Sequence, residues 1–185
     1  MSIFIDIAGS LAIRATIAAI VVSMNIMLNN VMFERTQRAI VRQNLAVMTD
    51  IIREDAQYIG NWRTTYPKIS STSSEFRFYG DVNNDWSADN VRYYFTADPS
   101  GGGRSLLSRT VNGGTALIIG RGITSWQIEY YDSAGTVTAN QDLARSFFLK
   151  FTMERSEALN VNGTIFYPSS SWEMHFFPLY LARAF

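Results

Sequence analysis

The chain has 185 residues, with 16 Lys and Arg balancing 16 Asp and Glu, and no cysteine. A neutral total supplies no field to gather nucleic acid, and the missing thiol excludes disulfide scaffolds, thiol catalysis and cysteine-held zinc or iron–sulfur centres. Hydrophobic residues make up 47% and aromatics 14%, enough for one self-supporting core plus an appendage.

Composition breaks near residue 60. From Ile3 to Ile59 there is no proline and one glycine, Gly9; eleven of the twelve glycines, all four prolines and all four tryptophans come later. The break predicts an α+β chain: a long N-terminal α-helix over residues 1–60, then an antiparallel β-sheet head over 61–185. Segment 1–33 reads as apolar and 34–60 as amphipathic.

Ala15 to Phe33 is 19 residues without a formal charge, about the length of helix that crosses a bilayer core. Thr16, Ser23, Asn25, Asn29 and Asn30 interrupt it, and Asp6 and Arg14 lie just upstream. Charges in such a segment are costly unless paired. Asp6 and Arg14 are about 12 Å apart along a helix, too far to touch, but they can meet between neighbouring helices staggered by about two turns. Three readings compete. A cleaved signal peptide needs a basic start, whereas this chain opens Met1-Ser2-Ile3-Phe4-Ile5-Asp6 with an acid. A simple membrane anchor is the plainest reading. The third, a helix held in the membrane as a monomer that then packs against copies of itself, explains the apolar run, the polar interruptions and the charge pair together.

Val41, Leu45, Met48, Ile52, Ala56 and Ile59 recur at three- and four-residue steps, the spacing of one helical face, and this stripe is expected to dock on the sheet. Glu34 and Arg38 are spaced to pair at i, i+4. Gly60-Asn61 ends the helix as a glycine cap does. A helix so long needs a partner surface, because propensity alone does not sustain it. Gly9 and the Asn29-Asn30 pair are its weak formers.

In the head, Glu75–Tyr79, Val91–Phe95, Ser105–Val111, Thr115–Ile119, Ile123–Tyr131, Ser146–Glu154, Thr164–Tyr167 and Ser171–Leu181 read as strands by alternation and aromatic content. Residues 66–74 read as a polar loop, and Asn112-Gly113-Gly114 and Asp132-Ser133-Ala134-Gly135 as turns. Pro178 places the last strand at an edge or a bend.

Between two of these strands, Asp81, Asn83, Asp85, Ser87 and Asp89 put an oxygen at each alternate position, as in a calcium loop, where such side chains converge on a hard cation. Trp86 stands where that loop wants glycine, and Arg92 where a carboxylate should close the shell. Calcium and a solvated Asp/Asn-rich turn both remain open. Gly101-Gly102-Gly103-Arg104 lacks the Lys-Ser/Thr and helix of a phosphate loop and reads as a flexible loop. Tyr93-Tyr94, Tyr130-Tyr131 and Phe147-Phe148 should each send one ring to the core, because adjacent strand residues face opposite sides. Asn162-Gly163-Thr164 is a glycosylation sequon. His175, the one histidine, has no second imidazole to share a zinc ion and reads as a satisfied strand residue. No nucleophile elbow or triad spacing is present.

The order of segments resembles the type IV pilin-like proteins, in particular the larger minor pilins and minor pseudopilins. The residues are Asp50-Ile51-Ile52-Arg53, Ala56 and Gly60; Phe78-Tyr79-Gly80-Asp81 with Val91-Arg92-Tyr93-Tyr94; Leu106-Leu107-Ser108-Arg109; and Gly122-Ile123, Ile128–Asp132 and Gly135. The resemblance implies a non-enzymatic structural subunit of an extracellular filament. Its partners are copies of itself and other pilins, with the inner membrane as its station before assembly. Asp6 would take the part of the family's assembly glutamate, neutralising a neighbour's N-terminal amine. The family's processing signal, a glycine before phenylalanine with glutamate five positions on, is not evident, which leaves open whether the subunit is processed. Arg35, Arg38 and Arg42 after the span argue, by the positive-inside rule, for an inside head, against an exported one. A membrane-anchored binding module or minor tip pseudopilin, working through loops 81–90 or 101–103, is the alternative.

Overall fold

The computed structural model describes residues 2–60, 69–155, 157–161 and 164–181. One helix, α1 (Ser2–Gln57), runs unbroken for 56 residues, about 84 Å. Gly9 and Asn29-Asn30 do not interrupt it. Ten strands follow: β1 (Ile69–Ser71), β2 (Glu75–Gly80), β3 (Asp89–Ala97), β4 (Ser105–Val111), β5 (Leu117–Tyr131), β6 (Val137–Thr138), β7 (Ser146–Glu154), β8 (Leu159–Val161), β9 (Thr164–Phe166) and β10 (Ser169–Phe176). The main sheet is antiparallel in the order β1-β2-β3-β4-β5-β7-β10, with β6 beside β5, and β8–β9 form a separate hairpin. This is the α+β architecture expected from the composition break.

The predicted helical stripe is the docking face. Val41, Leu45, Met48, Ile52, Ala56 and Ile59 are all buried, in one cluster with Phe76, Tyr93, Leu107, Leu149 and Phe151 of the sheet. Met48 fits over Gly120, where a Cβ would lie 2.5 Å from its sulfur. The helix closes at Gly60, whose φ of 74° is one glycine adopts freely. Its N–H donates to the Tyr79 carbonyl at 2.8 Å. Gly80 follows so closely that a Cβ there would sit 2.0 Å from the Tyr58 carbonyl oxygen. Helix end and β2 are thus pinned backbone to backbone.

Three strand expectations change. The segments read as Thr115–Ile119 and Ile123–Tyr131 are one strand, β5. Gly120 and Gly122 mark a register shift within it rather than a break, and Gly122 (φ 76°) lets the strand bulge past the Glu154 carbonyl. Ile69–Ser71, expected as loop, pairs with Phe76–Phe78. The last strand ends at Phe176, not Leu181, because Pro178 has no N–H for a ladder. As expected, that strand forms an edge. Each adjacent aromatic pair splits across the sheet: Tyr93, Tyr130 and Phe147 are buried, their neighbours half-exposed.

Candidate functional site

The feature that most demands a role is the first half of α1. Every described side chain from Asp6 to Phe33 is exposed, as is Phe4. An 18-residue window there reaches a mean hydropathy of 2.0 with none of it buried in the head, so the helix is long and apolar enough to cross a membrane by length and composition. Such a surface is unstable in water: each large apolar side chain left exposed forgoes about 1.5–3 kcal/mol of burial.

Asp6 and Arg14 lie along one shallow concavity of this helix, with Ile7, Ser10 and Leu11 between them. Neither has a hydrogen-bond or ion-pair partner among the described residues. The spacing argument holds within one helix: they flank a common groove without meeting. A pattern that sequence reading missed runs along the same rod. Gly9, Thr16, Ser23, Asn30, Gln37 and Asn44 recur every seven residues, a line of small or polar residues along the helix. Thr16 satisfies its hydroxyl on the Ala12 carbonyl at 2.9 Å, whereas the amides of Asn25, Asn29 and Asn30 find no partner among the described residues. Gln37, at the entrance to the head, is buried with its Oε1 unbonded. Counting in sevens would have revealed the line; counting in threes and fours hides it.

The docked half ends in a charged clamp. The Asp55 carboxylate accepts from Arg109 Nε at 2.6 Å and Nη2 at 2.9 Å, and from the Tyr93 hydroxyl. Burial, then the Asp55 carboxylate, pushes the Tyr93 hydroxyl well above its ordinary pKa. The Asp55 hydrogen bonds raise Arg109. Tyr93 and Arg109 are thus both held in the protonated state that bonds the Asp55 carboxylate and keeps helix and sheet joined.

Asp81 and Asp89 are buried and turned inward. Asp81 accepts from the Asp85 and Trp86 N–H groups at 3.0 and 3.1 Å. Asp89 accepts from the Val82 N–H at 3.1 Å and the Asn112 amide at 2.6 Å. Asp85 is exposed and bonds Ser87 and Asn83. The Ser87 hydroxyl first, then Asn83, hold its carboxyl below the usual range. Asn84 and Trp86 take positive φ of 59° and 70°, so Trp86 adopts the left-handed turn that glycine would give a calcium loop. Among the described residues no three His, Asp or Glu side chains converge as metal ligands. Asn162 lies outside the described residues. His175 bonds the Ser146 hydroxyl at 2.9 Å and stacks between Tyr131 and Phe177, a satisfied strand histidine as expected.

The two loops singled out from sequence sit at opposite poles. Loop 81–89 lies beside the Tyr58–Gly60 end of the helix. Asp98 and Ser100, at the foot of the Gly101–Gly103 loop, share a groove of about 360 Å³ with Ile40, Val41, Asn44 and Arg121, where the helix leaves the head. No known protein-family profile matches the sequence, and no curated protein matches it.

Proposed function

We propose that the chain is a structural, non-catalytic subunit of a pilin-like extracellular filament. It would wait in the inner membrane and then assemble by packing its N-terminal helix against those of its copies and other pilins. The observation that carries this reading is the division of one continuous helix: half is built into a folded head, and half is apolar on every side with nothing of its own to pack on. The seven-residue line supports helix-on-helix packing, since a strict seven-residue repeat favours left-handed supercoiling of neighbours. Small residues let such backbones approach, and unpartnered amides can bond across them. Asp6 and Arg14 would then pair between staggered helices. The head needs no cofactor for this role.

The test is electron microscopy of shed surface material. Long filaments built mainly of this chain are expected, and Asp6→Ala should leave the head folded while greatly reducing filament yield. Normal filaments from that variant would end the pairing idea. A second reading, a membrane-tethered binding module, is favoured by one observation: loop 81–89, with Trp86 77% exposed, stands at the pole farthest from the apolar helix. Membrane-bound monomers without filaments would favour it.

A further inference from the structure

We infer that the pole of the head from which the apolar helix emerges is itself a docking surface for anionic lipid headgroups. This rests on the helix entering a membrane before assembly. If Ala15–Phe33 fills the hydrocarbon core, Arg35 and Arg38 stand about 3 and about 8 Å beyond its edge, and Arg42 about 14 Å. The first two fall in the headgroup layer, and the third lies near it on the scale of the screening length. All three are exposed and fall within about 60° of one another around the helix. Arg38 is shared with Glu34 at 2.7 Å, whereas Arg35 and Arg42 have no ion-pair partner among the described residues.

The β8–β9 hairpin lies at the same level. Arg38 sits over the Phe166 ring, 5.9 Å from its centroid. Next to it Ile165 is 64% exposed and Tyr167 41% exposed. Arg104, buried and 3.6 Å from Glu154, lies over the Tyr167 ring at 4.7 Å. An exposed isoleucine, an aromatic ring and the exposed guanidinium groups of Arg35, Arg38 and Arg42 form the combination that settles at a lipid–water interface. Arg121, exposed at the start of the bulged β5, lies close enough to Asp98 to help lower its pKa, behind the Ser100 N–H as first cause. At this pole Glu34, Glu154 and Glu157 are each shared with an arginine and Asp98 lies near Arg121, so Arg35 and Arg42 leave the balance positive.

The opposite pole has the reverse character. Loop 81–89 holds Asp81, Asp85 and Asp89 and no base. A head so polarised is turned by an anionic surface in one direction. That direction brings Ile165 down and loop 81–89 away. Docking would fix the tilt of the head and its helix, as one unit, against the membrane before assembly begins.

The absence of cysteine makes the test clean. Full-length chain carrying one environment-sensitive fluorophore, at Val22→Cys, Ile165→Cys or Asn84→Cys, is reconstituted singly in nanodiscs. The lipid is phosphatidylcholine alone or mixed with phosphatidylglycerol. The Val22 probe should be buried in both lipids and the Asn84 probe in neither. The Ile165 probe should shift to the blue and be quenched by headgroup-level nitroxide in the anionic mixture, and far less in phosphatidylcholine. Reversing Arg35 and Arg42 to Glu should abolish that difference. A buried Val22 probe with a water-like Ile165 probe in both lipids overturns the docking surface and leaves the filament reading intact. Equal burial of Ile165 in both lipids also overturns it, since charge is then not what holds the hairpin down. A water-like Val22 probe overturns both.

Discussion

The two halves of α1 share one backbone and almost nothing else. Residues 37–59 present a single buried arc, centred on Met48 and Ile52, and leave Arg42, Asp50 and Glu54 to solvent. Residues 4–33 have no continuous polar side, only a seven-residue line of small and polar groups and, off it, Asp6, Ser10, Arg14, Asn25 and Asn29. The difference lies in how much of each half's circumference is apolar. A helix apolar on one side is matched to one sheet; a helix apolar all round is matched to surroundings on every side, whether lipid or other helices. The transition at Glu34–Gln37 therefore marks where the all-round apolar surface gives way to a one-sided one.

Substitutions should divide the same way when unfolding of the full chain is followed by urea titration in mild detergent. Met48→Asp places a charge at a site with no exposure, against Gly120. It should cost about 4 kcal/mol or more and leave little folded head. Asp55→Ala strips a buried carboxylate from Arg109 and Tyr93. The cost should be about 2–3 kcal/mol, below the full figure for a buried pair because the Arg109 side chain is partly exposed.

Alkaline pH probes the same docked core. Burial pushes the Tyr130 hydroxyl up to about 12. Its folded pKa lies above the unfolded value near 10, so its contribution is complete below about pH 10 and is lost as pH rises through about 12. The loss should reach up to about 2 kcal/mol, with Tyr93 acting in the same direction. Tyr130→Phe should flatten the fall in urea midpoint over that window. Ile20→Ala, in the free half, should change head stability by less than about 0.5 kcal/mol. A larger shift would mean the free half touches the head, and the contrast between the halves would fail.

Legibility in the sequence followed the range of each interaction. The docked arc was readable to the residue, because helical periodicity is a local property that burial merely selects. The Glu34–Arg38 pair, at 2.7 Å, was readable for the same reason. The Asp55–Arg109 clamp was not: its partners are 54 residues apart. The hint was a carboxylate at position 55, inside the arc set by Ile52, Ala56 and Ile59. The long β5 was misread because glycine signals a turn and a bulge equally, and only pairing with β4 and β7 distinguishes them. Ile69–Ser71 gave no strand signal, since two serines owe their strand conformation to the Phe76–Phe78 partner rather than to themselves. At the calcium-like loop the residue types were legible, but not that two of the three aspartates turn inward to hold the backbone.

The unbroken passage of α1 into the head has a mechanical consequence. A pull along the rod loads the docked face in shear, parallel to the sheet, rather than peeling it from one end. Val41, Leu45, Met48, Ile52, Ala56 and Ile59 then resist together, and the bidentate Asp55–Arg109 bond acts as a pin near the far end of the joint. A hinge at the point of emergence would let tension open those contacts one row at a time. Without one, the head and its stalk behave under load as a single stiff member.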